Sequence, residues 1–246
     1  MTYCLAMRLD EGLVFLSDTR TNAGIDNISI YRKLHVLQPA PDRAFSIQSA
    51  GNLATTQEVL DRIERDLAAT DGRETLATVA HLFEAALYVG RISREVVTSH
   101  SEALGGSGAD GTATFILGGQ IEGERPEIFL VYPEGNYIRA SNTRPFLQIG
   151  ETKFGKFWLE LAGHARVDLG QAIKISLGSM LSTTRANLSV GPPYDLAVYR
   201  NGALAFDEHR IEPTSDYLIE IQELFVQHLL AAVDELPPIP WAHSSS

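Results

Sequence analysis

Apolar residues open the chain in short β-rich runs. Tyr3–Leu9 is followed, across the turn at Glu11-Gly12, by Leu13–Asp18, and the pair predicts a hairpin. Leu34–Leu37 and Ala44–Ala50 predict two further strands. The period then changes. Leu53, Val59, Leu60, Ile63 and Leu67 recur on one helical face, and Leu76–Val97 forms a second helical stripe through Val79, Leu82, Phe83, Ala86 and Leu87. A Ser/Gly-rich loop, Ser99–Gly111, leads to strands at Thr112–Gly118, Glu127–Tyr132 and Tyr137–Ala140. Helices are predicted over Lys153–Ala162 and Val167–Asn187, a strand over Leu196–Arg200 and a last helix over Asp216–Val233. Two sheets between helical layers bury every apolar face in that order. One domain over 1–246 is expected, its end (about 237–246) an extended tail, because Pro237, Pro238 and Pro240 cannot continue a helix.

Composition removes several classes of function. The chain has 246 residues, 44% hydrophobic and 21% charged, with a formal net charge of -11. An acidic chain without a Lys/Arg patch has no electrostatic basis for nucleic-acid binding. No stretch is apolar and long enough for a membrane span, and no secretory signal is seen at Met1–Glu11, so a cytoplasmic location is expected. Cys4 is the only cysteine, and the seven histidines stand at no zinc-binding spacing, so neither a metal nor another cofactor is expected. Gly106–Gly111 matches the dinucleotide fingerprint in its letters, but a loop precedes it and a strand follows it, where a strand and a helix are required. No G-x-S-x-G elbow is present.

The amino end carries the remaining chemistry. Thr2 directly precedes the first strand. A Thr hydroxyl needs a base, and a free α-amine on the same residue, with an ordinary pKa of about 7.7–8.0, can serve as one once Met1 is removed. A nearby Lys lowers that pKa further, and an acid fixes the Lys. Asp18 ends the second strand, beside the start of the first, and Lys33 lies just before the next strand. Taken alone, such residues are ordinary solvated turn positions.

The wider pattern resembles proteasome β-subunits: Thr2, then Ser17-Asp18-Thr19-Arg20, Ala23-Gly24, Lys33 and Ser49-Ala50-Gly51-Asn52-Leu53-Ala54. Within them it is most similar to Anbu, the bacterial ancestral β-subunit-like family. That likeness runs through Met1-Thr2-Tyr3-Cys4, Asp10-Glu11-Gly12-Leu13, Phe115–Ile121 and Tyr132-Pro133-Glu134-Gly135-Asn136, and thins after Gln222. The resemblance implies an α+β fold, the four-layer αββα sandwich of N-terminal nucleophile hydrolases. It implies a self-compartmentalising threonine-type peptidase without cofactor, acting on peptide or unfolded-protein substrates as a homo-oligomeric ring or helical stack. Thr2 is then nucleophile and base, Lys33 tunes the amine, Asp18 holds Lys33, and the Gly51 N–H forms the oxyanion hole. Asn22, Ser49 and Leu53 line the substrate groove. Two departures stand out. Gly150-Glu151 replaces the usual Gly-Ser, and Asn187-Leu188-Ser189-Val190-Gly191 replaces Asp-x-x-Ser-Gly, leaving Glu151, Asn187 and Ser189 as the supporting residues on offer. These departures keep a non-cleaving assembly protein open as an alternative, and an amidase acting on a small molecule is a second, because the same Thr chemistry serves any amide.

Overall fold

The structure, a computed structural model, describes residues 1–22, 28–107, 110–162 and 167–241. The opening hairpin forms as the pattern predicts, with β1 (Tyr3–Arg8) antiparallel to β2 (Gly12–Asp18). Both strands are almost wholly buried, so each presents two apolar faces rather than one. Gly12, at φ +157, sits where a Cβ would collide with the Tyr199 carbonyl of the adjacent strand.

Two short strands, β3 (Arg20–Asn22) and β4 (Ile28–Ile30), pair with each other. The Ala23-Gly24 motif lies outside the described residues. β5 (Leu34–Ala40) and β6 (Arg43–Gly51) follow, then α1 (Leu53–Leu67), whose first turn is capped by the Asn52 side chain accepting from the Thr55 N–H. The second helix begins later than its stripe suggests: α2 is Leu82–Ser99. Thr75 explains the delay, because its hydroxyl accepts from the Ala77 N–H and its own N–H donates to Thr78 Oγ1, closing a local turn instead of a helix. The expected loop contains a short helix, α3 (Ser101–Ser107), before β7 (Ala113–Ile121), β8 (Glu127–Val131) and β9 (Tyr137–Arg139). β10 (Phe146–Gly150) has no counterpart in the sequence reading, and pairs with β1. α4 (Lys156–Ala162), α5 (Leu169–Ala186), β11 (Tyr194–Arg200), β12 (Phe206–Ile211) and α6 (Asp216–Asp234) complete the order.

Two five-stranded sheets result, ordered β10-β1-β2-β11-β12 and β5-β6-β7-β8-β9. Cys4, Ala6, Leu13, Phe15 and Tyr199 of the first meet Ala44, Ala50, Ile116 and Ile128 of the second. Phe45, Ile47, Phe115 and Leu117, one pleat over, pack instead against Val59, Ile63, Ala85 and Val89 of α1 and α2. On the far face of the first sheet, Tyr3 and Met7 reach Ser179 and Ser176 of α5. The layers therefore run helix, sheet, sheet, helix, as the α+β sandwich requires.

The chain divides into two compact units, Met1–Ile211 and Glu212–Ser246. The second holds α6 and a non-helical segment ending at Trp241. In α6, Leu218 is buried while Leu229, Leu230 and Val233 are exposed, as are Leu236, Ile239 and Trp241 beyond it. Residues 242–246 of the expected tail lie outside the described ones.

Candidate active site

Antiparallel pairing gathers several strand ends on one rim of the sandwich. Tyr3 pairs with Gly150, Cys4 with Ser17 and Asp18 with Tyr194, so the start of β1, the ends of β2 and β10 and the start of β11 coincide. The Cys4 Sγ lies 3.8 Å from the Ser49 carbonyl, and the Ser49 N–H donates to the Lys33 carbonyl at 3.0 Å. The end of β6 and the residue before β5 thus join the same rim. Thr2 stands half-buried at its edge, preceded by Met1, which is 65% exposed.

Asp18 is the centre of the polar arrangement. It is fully buried, and its carboxylate accepts from Lys33 Nζ at 2.7 Å and from the Tyr3 N–H at 2.9 Å on the same oxygen. The Gly191 N–H approaches its other oxygen at 3.4 Å. Burial pushes this carboxyl above the ordinary carboxylate range, and the Lys33 ammonium and the two N–H groups oppose that shift. Lys33 is also buried, and its Nζ donates to the Arg20 carbonyl at 2.6 Å. A buried charge pair persists only where both members are satisfied in this way.

Gly51 ends β6 at φ +122, with a Cβ position 2.5 Å from the Thr112 carbonyl, so no other residue fits that turn without displacing β7. Ser49 is buried behind it, and Leu53 is half-buried at the first position of α1. Asn22 lies on β3, with its side chain outside the described positions.

The residues at the two departures meet each other. Asn187 Nδ2 donates to Glu151 Oε2 at 3.1 Å, Asn187 Oδ1 accepts the Ser189 N–H at 2.9 Å, and the Glu151 N–H donates to the Thr2 carbonyl at 2.7 Å. Tyr3 was not singled out by its sequence. Its hydroxyl is 2.7 Å from Ser179 Oγ and accepts from Gln148 Nε2, which anchors the residue after Thr2 to α5 and β10. Burial pushes that phenol up to about 12. Arg20 was missed as a site residue too; its guanidinium donates to the Leu188 carbonyl at 2.7 Å and fills the space beside Gly191. Such links join residues more than 100 positions apart, and no local pattern announces them. Among the described residues, no three His, Cys, Asp or Glu side chains group in a way that could hold a metal ion, and no helix is long and apolar enough to cross a membrane.

No protein-family model matches the chain, and no curated protein matches it. Solved structures do. Anbu (ancestral beta-subunit) from Yersinia bercovieri is 40% identical, with a TM-score of 0.90, over 97% of this chain and 99% of that one. The structure described as the helical assembly of the Anbu complex from Pseudomonas aeruginosa is 39% identical, with a TM-score of 0.93, over 98% and 100%. Anbu from Hyphomicrobium sp. strain MC1 is 40% identical, with a TM-score of 0.87, over 97% and 99%. Identity of this order over nearly the full length of both chains, with the same fold, shows that the chain belongs to the Anbu family of proteasome-like ancestral β-subunits.

Proposed function

We propose that the protein is a threonine-type peptide or amide hydrolase whose nucleophile is the Thr2 hydroxyl and whose base is the Thr2 α-amine, exposed by removal of Met1. The observation that carries this reading is the double contact on Asp18 Oδ1. One oxygen holds both the Lys33 ammonium and the N–H of the residue that follows Thr2. A cation is thereby tied to the strand that bears the nucleophile. A positive charge there disfavours the ammonium form of the Thr2 amine and keeps it available as a base. A positioned base supplies about 10²–10⁴-fold in rate. The Gly51 N–H, held at a turn that admits only glycine, serves as oxyanion donor, a role worth about 10²–10³-fold.

Peptides and unfolded chains are the proposed substrates, and self-assembly of identical subunits into a ring or helical stack is the proposed means of restricting access. The helical assembly described for the P. aeruginosa relative supports the latter. A second reading, a non-cleaving assembly protein, draws on Asn187 standing where the resemblance leads one to expect an Asp.

A peptide epoxyketone, which reacts with both hydroxyl and amine, separates the two. The Met1-less chain is expected to gain the mass of the probe at Thr2, Thr2→Ser to retain some addition, and Thr2→Ala or a chain keeping Met1 to gain none. Adducts in Thr2→Ala refute the nucleophile, and silence from the processed wild type favours the non-cleaving reading.

A further inference from the structure

Glu151 and Asn187 form a device that the Lys33–Asp18 pair does not explain. Gly150, at φ +82, brings β10 so close to the chain start that a Cβ there would lie 1.9 Å from the Thr2 carbonyl. The next residue, Glu151, donates its N–H to that carbonyl at 2.7 Å and so is fixed beside Thr2. Its carboxylate is then set by Asn187. Every polar group of Asn187 is committed: its N–H to Thr183, its carbonyl to the Val190 N–H, its Oδ1 to the Ser189 N–H and its Nδ2 to Glu151 Oε2. Because Oδ1 faces an N–H donor, the amide cannot flip, and its NH₂ must point at the carboxylate. An Asp at 187 would oppose Glu151 with a like charge; the Asn turns the same position into a donor. The Met1 sulfur lies 3.8 Å from that Nδ2, so the amino end already rests on the pair.

We propose that Glu151, oriented by Asn187, is the carboxylate that receives the α-ammonium of Thr2 once Met1 is removed, a positioning residue that sets the pH at which the nucleophile becomes active. This rests on the reading of Thr2 given above. Among the described residues, the other charges about the start of β1 are engaged. Asp18 and Lys33 pair with each other, Asp195 pairs with Arg210, and the Arg20 guanidinium donates to Leu188. Burial pushes the Cys4 thiol and the Tyr3 and Tyr194 phenols up, which keeps them neutral. Glu151 therefore opposes Lys33. The carboxylate favours the ammonium form and the lysine disfavours it. The base must be neutral to accept the Thr2 proton, so a carboxylate at this point moves the acid limb of the rate profile to higher pH and holds the amine in place.

The test uses the full chain after removal of Met1. Competitive acylation of the α-amine across pH, read by mass spectrometry, reports its titration whether or not the protein turns anything over. Glu151→Gln is expected to lower that titration, and the acid limb of epoxyketone addition with it, by about one pH unit. Glu151→Asp restores most of the shift, and Asn187→Ala, which frees the carboxylate, gives a smaller change in the same direction as Glu151→Gln. An amine titration that is the same in wild type, Glu151→Gln and Asn187→Ala overturns the proposal, even if the wild type adds the probe and the Thr2 reading stands. A titration that moves as expected in a protein that never adds the probe supports the pair and refutes Thr2 as nucleophile.

Discussion

Removing the Lys33 ammonium perturbs stability and reactivity together, and the structure sets the size of both. At 2.7 Å from Asp18 Oδ1, the ammonium contributes a gross attraction of about 6 kcal/mol at an effective dielectric of about 20. Much of that offsets the burial of the two charges. Breaking such a pair from one side costs about 3–5 kcal/mol, because an uncompensated charge stays buried. Asp18 has an escape in Lys33→Ala: it can take up a proton. Protonating an ordinary carboxyl at pH 7 costs about 4 kcal/mol, and burial already forfeits part of that in the wild type, so the loss stays below this figure. The expected destabilisation at pH 7 is therefore about 3 kcal/mol, or about 6–12 °C in Tm for a chain of this size.

The pH dependence has a definite sign. Burial already raises the folded-state pKa of Asp18, and loss of Lys33 raises it further. A carboxyl raised in the folded state stabilises fully below its unfolded pKa of about 3.9, and that contribution is lost as pH rises through the folded value. The Tm gap between wild type and Lys33→Ala should thus be widest near neutrality and close as pH falls toward 4. Thermal unfolding followed at several pH values measures it. Epoxyketone addition, run well below the variant's Tm, should fall by much of the ~10²–10⁴-fold base contribution. A Tm gap independent of pH would show that Lys33 does not compensate the Asp18 charge. Unchanged probe addition by a folded variant would remove Lys33 from the mechanism.

Two further outcomes are expected. Gly51→Ala forces a side chain into a left-handed turn against the Thr112 carbonyl, so it should lower stability by at least about 1–3 kcal/mol and probe addition by about 10²–10³-fold as the N–H shifts; wild-type addition in that variant would exclude Gly51 as oxyanion donor. Truncation after Glu235 removes the exposed Leu236, Ile239 and Trp241 and should weaken self-assembly in light scattering; a truncated chain that assembles like the full one shows that these residues take no part.

The sequence determined the frame of this protein because its signals there are local. The period change at Asn52-Leu53 marks the start of α1 through a cap that reaches only three residues. Gly12 and Gly51 mark turns that other residues cannot make. The order of the amino-terminal motifs from Thr2 to Leu53, with Phe115–Ile121 and Tyr132–Asn136 further along, was enough to name the family, and the structural matches bear it out. Tertiary structure alone decided how those motifs meet. β10 escaped notice because Phe146–Gly150 is five residues long, and only its pairing with β1 makes it a strand and carries Glu151 to Thr2. In the sequence, Asn187 and Glu151 stood as two separate departures. In the fold they are one hydrogen-bonded pair, because α5 ends where β10 does. Only the likeness to proteasome β-subunits pairs Asp18 with Lys33 in advance; read alone they are ordinary turn positions, and it is the fold that brings the ammonium onto the carboxylate. The Tyr3 hydroxyl's partners at 148 and 179 could not be paired in advance, because these hydrogen bonds exist only after β10 has paired with β1 and α5 has packed on the sheet.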